Sequence, residues 1–146
     1  MQLTMSLANN RIAELWRTFM PRRGEVAQRI NGNVVSLQVY PPDYFAAFNP
    51  ATPFEKWALV EVARVEALPA GMKPFVLPAG AYAVFHYQGP GGDPAVYQYY
   101  IFGTWFPASG HTLDHRPHFE ILGGPYKYND PASEERDMDT PSRMNI

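Results

Sequence analysis

At 146 residues, 46% hydrophobic and 14% aromatic, the chain has enough apolar surface for one domain with a sizeable core and too much for a disordered segment. A formal net charge of −2 lacks the basic excess of a direct nucleic-acid binder, and the absence of cysteine excludes disulfides, thiolate metal sites and cysteine nucleophiles. No apolar run approaches a membrane span and no basic-then-apolar leader opens the chain, so a soluble cytoplasmic protein without membrane contact is expected.

Leu3, Met5 and Leu7 alternate as in a short strand over residues 2–7. Asn9 and Asn10 are N-cap candidates for the helix that Ile12, Leu15, Trp16 and Phe19 mark over residues 11–20. Pro21 stops or kinks that helix, and residues 22–30 suggest a further short helical piece with Val26 and Ile30 inward. After the turn Asn31-Gly32-Asn33, residues 34–40 read as a strand ended by Pro41-Pro42. The connection carrying Tyr44, Phe45 and Phe48 is too apolar for a solvated loop and should pack back on the body. Residues 54–65 read as one long strand, with Trp57, Leu59 and Glu61 on one side and Ala58, Val60 and Val62 on the other.

Pro78-Ala79-Gly80 opens the next strand, which runs to Tyr87 and the turn Gly89-Pro90-Gly91-Gly92. Asp93 and Pro94 then suit the N-cap and first position of a helix reaching about Phe106, with Val96, Tyr99, Tyr100 and Gly103 on one face and Pro107 ending it. Residues 109–117 read as a loop and His118–Leu122 as a strand. Beyond Gly123-Gly124-Pro125 the chain turns polar, and its last ten or so residues are expected to dock weakly.

A duplication is visible in this pattern. Thr18-Phe19-Met20-Pro21 ends one helix and Thr104-Trp105-Phe106-Pro107 the other, and the order strand, helix, strand, strand occurs in residues 1–65 and begins again at Leu77. Two such units, about 1–65 and 77–146, can share one core within a single domain spanning 1–146, with 134–146 the doubtful part. Glu120 then lies where the first unit has Gln38.

Ser36-Leu37-Gln38-Val39-Tyr40, Phe54-Glu55-Lys56-Trp57-Ala58, Leu77-Pro78-Ala79-Gly80-Ala81-Tyr82-Ala83-Val84-Phe85 and Arg116-Pro117-His118-Phe119-Glu120-Ile121-Leu122 resemble the gyrase-inhibitor-like effector-binding domain, related to the ligand-sensing domains of AraC-type and MerR-type bacterial regulators. The resemblance implies an α+β fold in which duplicated β-α-β-β units form a barrel-like antiparallel sheet with two helices. It also implies a pocket for lipophilic, often cationic, compounds, where an acidic residue on the strand after the second helix meets the cation; the matching residue is Glu120. The tail departs from the family pattern: after Ser133-Glu134-Glu135 an apolar closing strand is expected, and this chain has polar residues and Pro141 instead.

Strand alternation puts Glu120 on one face with His118 and Leu122, which leaves two readings: a solvated carboxylate, or one inside an aromatic cavity whose desolvation a cationic ligand or a hydroxyl of Tyr99 or Tyr100 relieves. Trp57, Tyr82, Tyr99, Trp105 and Tyr40 are candidate pocket walls or ordinary core. Pro117 breaks the His115/His118 spacing, so no metal is expected, and Asp114-His115-Arg116 reads as a polar loop network. Ser109, His111 and Asp114 lack a nucleophile elbow, and Arg17, Arg22, Arg23 and Arg29 read as a solvated face.

The sequence therefore favours a stand-alone binder of a lipophilic, cationic small molecule, without cofactor or assigned catalytic residue, linked to transcription regulation or multidrug sensing through a homodimer or a DNA-binding protein partner. A hydrolase of electrophilic small molecules using a pocket carboxylate and a protein-partner inhibitor module are the alternatives.

Overall fold

The computed structural model describes residues 1–88, 99–123 and 135–144, with 87–88 and 135–144 as backbone. The expected helix start at Asp93-Pro94, Val96 and the glycine-rich turn before them lie outside the described residues.

Strand β1 is Gln2–Met5 and helix α1 is Ile12–Phe19. Asn10 Oδ1 accepts the Ile12 N–H at 3.0 Å, satisfying one of the donors that a helix start leaves open. Pro21 sits in the first turn of a 3-10 segment, Met20–Glu25, where a missing N–H costs nothing. The chain leaves the body beyond it: Ile30, expected inward, is 53% exposed. Strand β2 is Val34–Val39 and β3 is Phe54–Leu59. The long strand expected over 54–65 stops at Leu59, and only an isolated antiparallel bridge between Val62 and Arg29 continues it.

Strand β4 is Tyr82–Gln88. Gly80 precedes it because a Cβ there would collide with the Arg116 guanidinium. The second helix is described as a π-helical stretch, Tyr99–Trp105, running into one α-turn, α2, Phe106–Ser109. Pro107 lies in the first turn of α2 and does not end the helix; Gly110 does, with φ +70°. The wider i→i+5 winding also overturns the expected face. Ile101 is the buried residue at 2% exposure, whereas Tyr99 is 80% and Tyr100 54% exposed. The segment read as a loop contains strand β5, His111–Leu113, before β6, His118–Leu122.

The polar tail is strand β7, Glu135–Met144, which overturns the expectation of weak docking. It pairs antiparallel with β4, β6 and β5. Pro141 falls opposite Tyr82, in the gap where the other ladder passes from β6 to β5, so its missing N–H interrupts neither of those pairings, and pairing of the rest of β7 on both sides overrides the strand's poor propensity. The sheet order is β1-β3-β2-β6-β7-β4, with β5 on β7, giving an α+β fold with two helices. β1 and β4 end this order, so the described strands form an open antiparallel sheet and not the closed barrel expected.

Strand alternation divides the core. Leu15, Trp16 and Phe19 of α1 pack on Val34, Ala58 and Leu122, each large side chain contributing roughly 2–3 kcal/mol by burial. Leu37, Trp57 and Phe119 gather on the opposite face with Phe75 and Tyr82 around them.

Candidate functional site

The register sorts the candidate residues by face. Ala58, Ser36 and Glu120 are successive cross-strand partners, and the ladder continues through position 138 to Phe85. Glu120 therefore shares the helix-covered face with Phe85 and, two residues along β6, with His118. Leu37, Phe119 and Trp57 belong to the next row, on the other face.

Rings collect beside Glu120. Asp43, at φ +62°, turns the chain after Pro41-Pro42, and its carbonyl accepts the N–H groups of Ala46 and Ala47 at 3.0 and 2.9 Å. That coil brings Tyr44 and Phe45 back onto Tyr40, at centroid distances of 4.5 and 5.0 Å. His118 meets Tyr40 and Phe45, each at 5.4 Å, and Phe102 of the second helix stacks on His118 at 6.3 Å. Trp105 packs edge-on against Phe85 at 5.0 Å and stacks on His111 at 5.5 Å.

This environment is poor in water. Burial pushes the Tyr40 phenol well above its ordinary range, with Tyr44 and the Glu120 charge adding to the shift. Burial lowers His118 to about 4, so its imidazole is neutral at pH 7. Tyr44 is 5% exposed, and its hydroxyl has no hydrogen-bond partner among the described residues. With Tyr40, Phe45, Arg116 and His118 it lines a recess of about 140 Å³.

A buried lysine belongs to the same face. Lys56 is 3% exposed, and its Nζ donates to Ser36 Oγ at 2.8 Å. Gln38, its cross-strand partner, accepts from the same ammonium through its amide oxygen and donates to the His118 carbonyl at 2.8 Å. Ser36 is also the cross-strand partner of Glu120, so the ammonium reaches the residue directly beside the carboxylate. A buried cation and an acid placed this way should be energetically coupled. In urea unfolding of Lys56→Met, Glu120→Gln and the double variant, the double should cost less than the sum of the singles by on the order of 1 kcal/mol. Strict additivity would mean that the two charges act independently.

Of the residues singled out in the sequence, Glu120, Tyr40 and Trp105 lie on the helix-covered face. Trp57 lies on the other face, where Nε1 donates to Glu55 Oε2 at 2.9 Å and the ring meets Phe75 at 5.0 Å. Tyr82 is there too, 5.4 Å from Phe119 and beneath the Arg116 guanidinium at 4.6 Å. Tyr99 and Tyr100 are 80% and 54% exposed, whereas the phenol of Tyr40 is largely buried and feels the Glu120 charge. Asp114 receives Arg116 Nε at 2.9 Å, as the polar-loop reading expects. Ser109 donates to the Phe106 carbonyl at 2.9 Å and accepts the His111 N–H at 3.2 Å, closing the helix end. Sequence reasoning missed Lys56, whose signal was its parity with Ala58, and missed Phe45 and Phe102 as neighbours of His118.

A comparison with curated proteins found no match. A family model described as Cass2, integron-associated effector binding protein, matches residues 2–141. That match spans nearly the whole length: the chain belongs to the Cass2 family of integron-associated effector binding proteins, a gyrase-inhibitor-like effector-binding family.

Proposed function

We propose that the protein binds planar lipophilic cations on the helix-covered face of its sheet, with Glu120 as the partner of the positive charge and Tyr40 and Trp105 among the flanking rings. The observation that carries this reading is the position of a carboxylate on the face where Tyr40, Phe45, His118, Phe85 and Trp105 gather. Rings attract cations through their π faces, and a partly dry site strengthens the attraction of the acid. The buried Lys56 ammonium on the same face disfavours compact, strongly localised charges, so delocalised cations should bind best. The palindromic sheet order supports a duplication in which two β-α-β-β units meet along β2 and β6. Binding of this kind suits a cytoplasmic sensor in multidrug response or transcription regulation, acting as a homodimer or through a DNA-binding partner.

The test is a titration of wild type and Glu120→Gln with a matched cationic and neutral aromatic pair. Loss of a charged hydrogen bond is worth on the order of 1.5–3 kcal/mol, so cation affinity should fall roughly tenfold to a hundredfold while the neutral ligand loses much less. Equal losses for both ligands would remove Glu120 as the cation partner.

A further inference from the structure

A cavity that the cation reading does not use lies mainly on the face opposite Glu120 and reaches past β3 to Phe19 and Ala58 of the helix-covered face. It encloses about 630 Å³, within the range of roughly 300–1,000 Å³ typical of small-molecule pockets. Its floor is the outward row of β2 and β6, Val35 and Leu37 with Phe119 and Ile121, and residues 60–77 wall it with Met72 and Phe75. The cavity is a recess and not a flat patch. Leu37 and Phe119 on its floor are 1% and 9% exposed, whereas Val65 and Val76 at its rim are 57% and 86% exposed. A flat protein-docking surface would leave its central side chains open to solvent.

The lining also indicates the charge of the occupant. Three charged side chains, Glu61, Arg64 and Lys73, line it, all on the wall, and two of them are engaged: Arg64 pairs with Glu66 at 2.7 Å, and Glu61 accepts from Asn31 at 3.1 Å; the Met1 ammonium at its end donates to the Ala58 carbonyl at 2.8 Å. The floor is entirely apolar, so an ionic group carried into the recess would lose its hydration without compensation. An uncharged molecule gains by covering the same surface, because apolar area leaves water at no cost in lost charge hydration.

We propose that this cavity is a second binding site, for an uncharged lipophilic small molecule, separate from Glu120 and independent of the cation reading. The experiment is a fluorescence titration with the uncharged dye Nile red. Wild type should bind one dye with an emission blue shift. Val35→Trp, which fills the floor with an indole, should weaken binding by about tenfold or more. Photolabelling wild type with an uncharged alkyl diazirine needs no variant to fold and should mark residues 68–77 and the outward positions of β2 and β6. Absence of dye binding to wild type, equal dye binding to Val35→Trp, or label confined to the helices would each overturn the proposal. So would a dimer, seen by sedimentation, that persists at saturating dye and protects Val65 and Val76 from labelling, because the occupant would then be a second copy of the chain.

Discussion

Removal of residues 135–146 should abolish cooperative folding. β7 is the partner of β4 along Tyr82–Gln88, of β6 along positions 119–122 and of β5 along positions 111–113. Without it β4 loses its ladder to the rest of the sheet, and β6 becomes an open edge carrying Phe119 and Leu122, which are buried in two different core clusters. Domains are stable by only about 5–15 kcal/mol, and loss of the strand that joins three others exceeds what such a margin absorbs. Circular dichroism of the truncated chain during urea titration should show no sigmoidal transition. A transition within about 1 kcal/mol of wild type would mean that β7 is peripheral and that the sheet is complete at β6.

The contrast between β6 and β7 shows what local sequence can and cannot reveal. β6 was legible to its last residue because His-Phe-Glu-Ile-Leu combines alternation with strong strand formers between Pro117 and Gly123. β7 contains Asp137, Asp139, Ser142 and Pro141, none of which favours a strand. Its conformation comes from pairing on both sides, a tertiary term that no local window contains. The second helix failed for a different reason. Its face was read with a period of 3.6, and the π winding over Tyr99–Trp105 turns Ile101 inward and Tyr99 outward.

The same limit governs the site. Alternation alone gave the face of Glu120 within β6, but placing Trp57 or Tyr82 relative to it requires the register between strands, which puts both across the sheet. Lys56 was readable in principle: Ala58 was assigned the side opposite Trp57, and a residue two positions earlier must share it. A lysine on that side of a central strand signals a buried polar row. Ser36 and Gln38 complete the row on β2, where small and amide side chains can accept the ammonium.

Stability should fall steeply between pH 6.5 and 4, with His118 as the main titrating group. Its neighbours from β2, the following coil and the second helix are the rings of Tyr40, Phe45 and Phe102; the charged groups nearest this surface are Lys56 through Gln38, Glu120 two residues along the strand, and Asp114, His115 and Arg116 around the small recess. The rings provide no hydration for an imidazolium, so the folded state holds the imidazole neutral, with a pKa of about 4 against 6.5 in the unfolded chain. Above pH 6.5 both states are neutral and the preference costs nothing. As pH falls below 6.5 the unfolded chain takes up a proton that the folded protein refuses, so stability declines until the folded pKa is reached. The difference between 6.5 and about 4 corresponds to roughly 3–4 kcal/mol at most, because part of the ring reaches the recess. Carboxylates paired on the surface, such as Glu14 with Arg11 and Glu25 with Arg22, are held below their ordinary pKa and lose their contribution only at lower pH. His118→Phe keeps a ring in the aromatic cluster and removes the titration. Urea unfolding of both proteins at pH 6, 5.5 and 4.5, below the pH range in which the Met1 ammonium, lowered by burial to about 6, changes the stability of both, should give a wild-type stability that drops and a variant stability that stays nearly level. Parallel declines would assign the acid sensitivity to other groups and would show that His118 is hydrated in the folded protein.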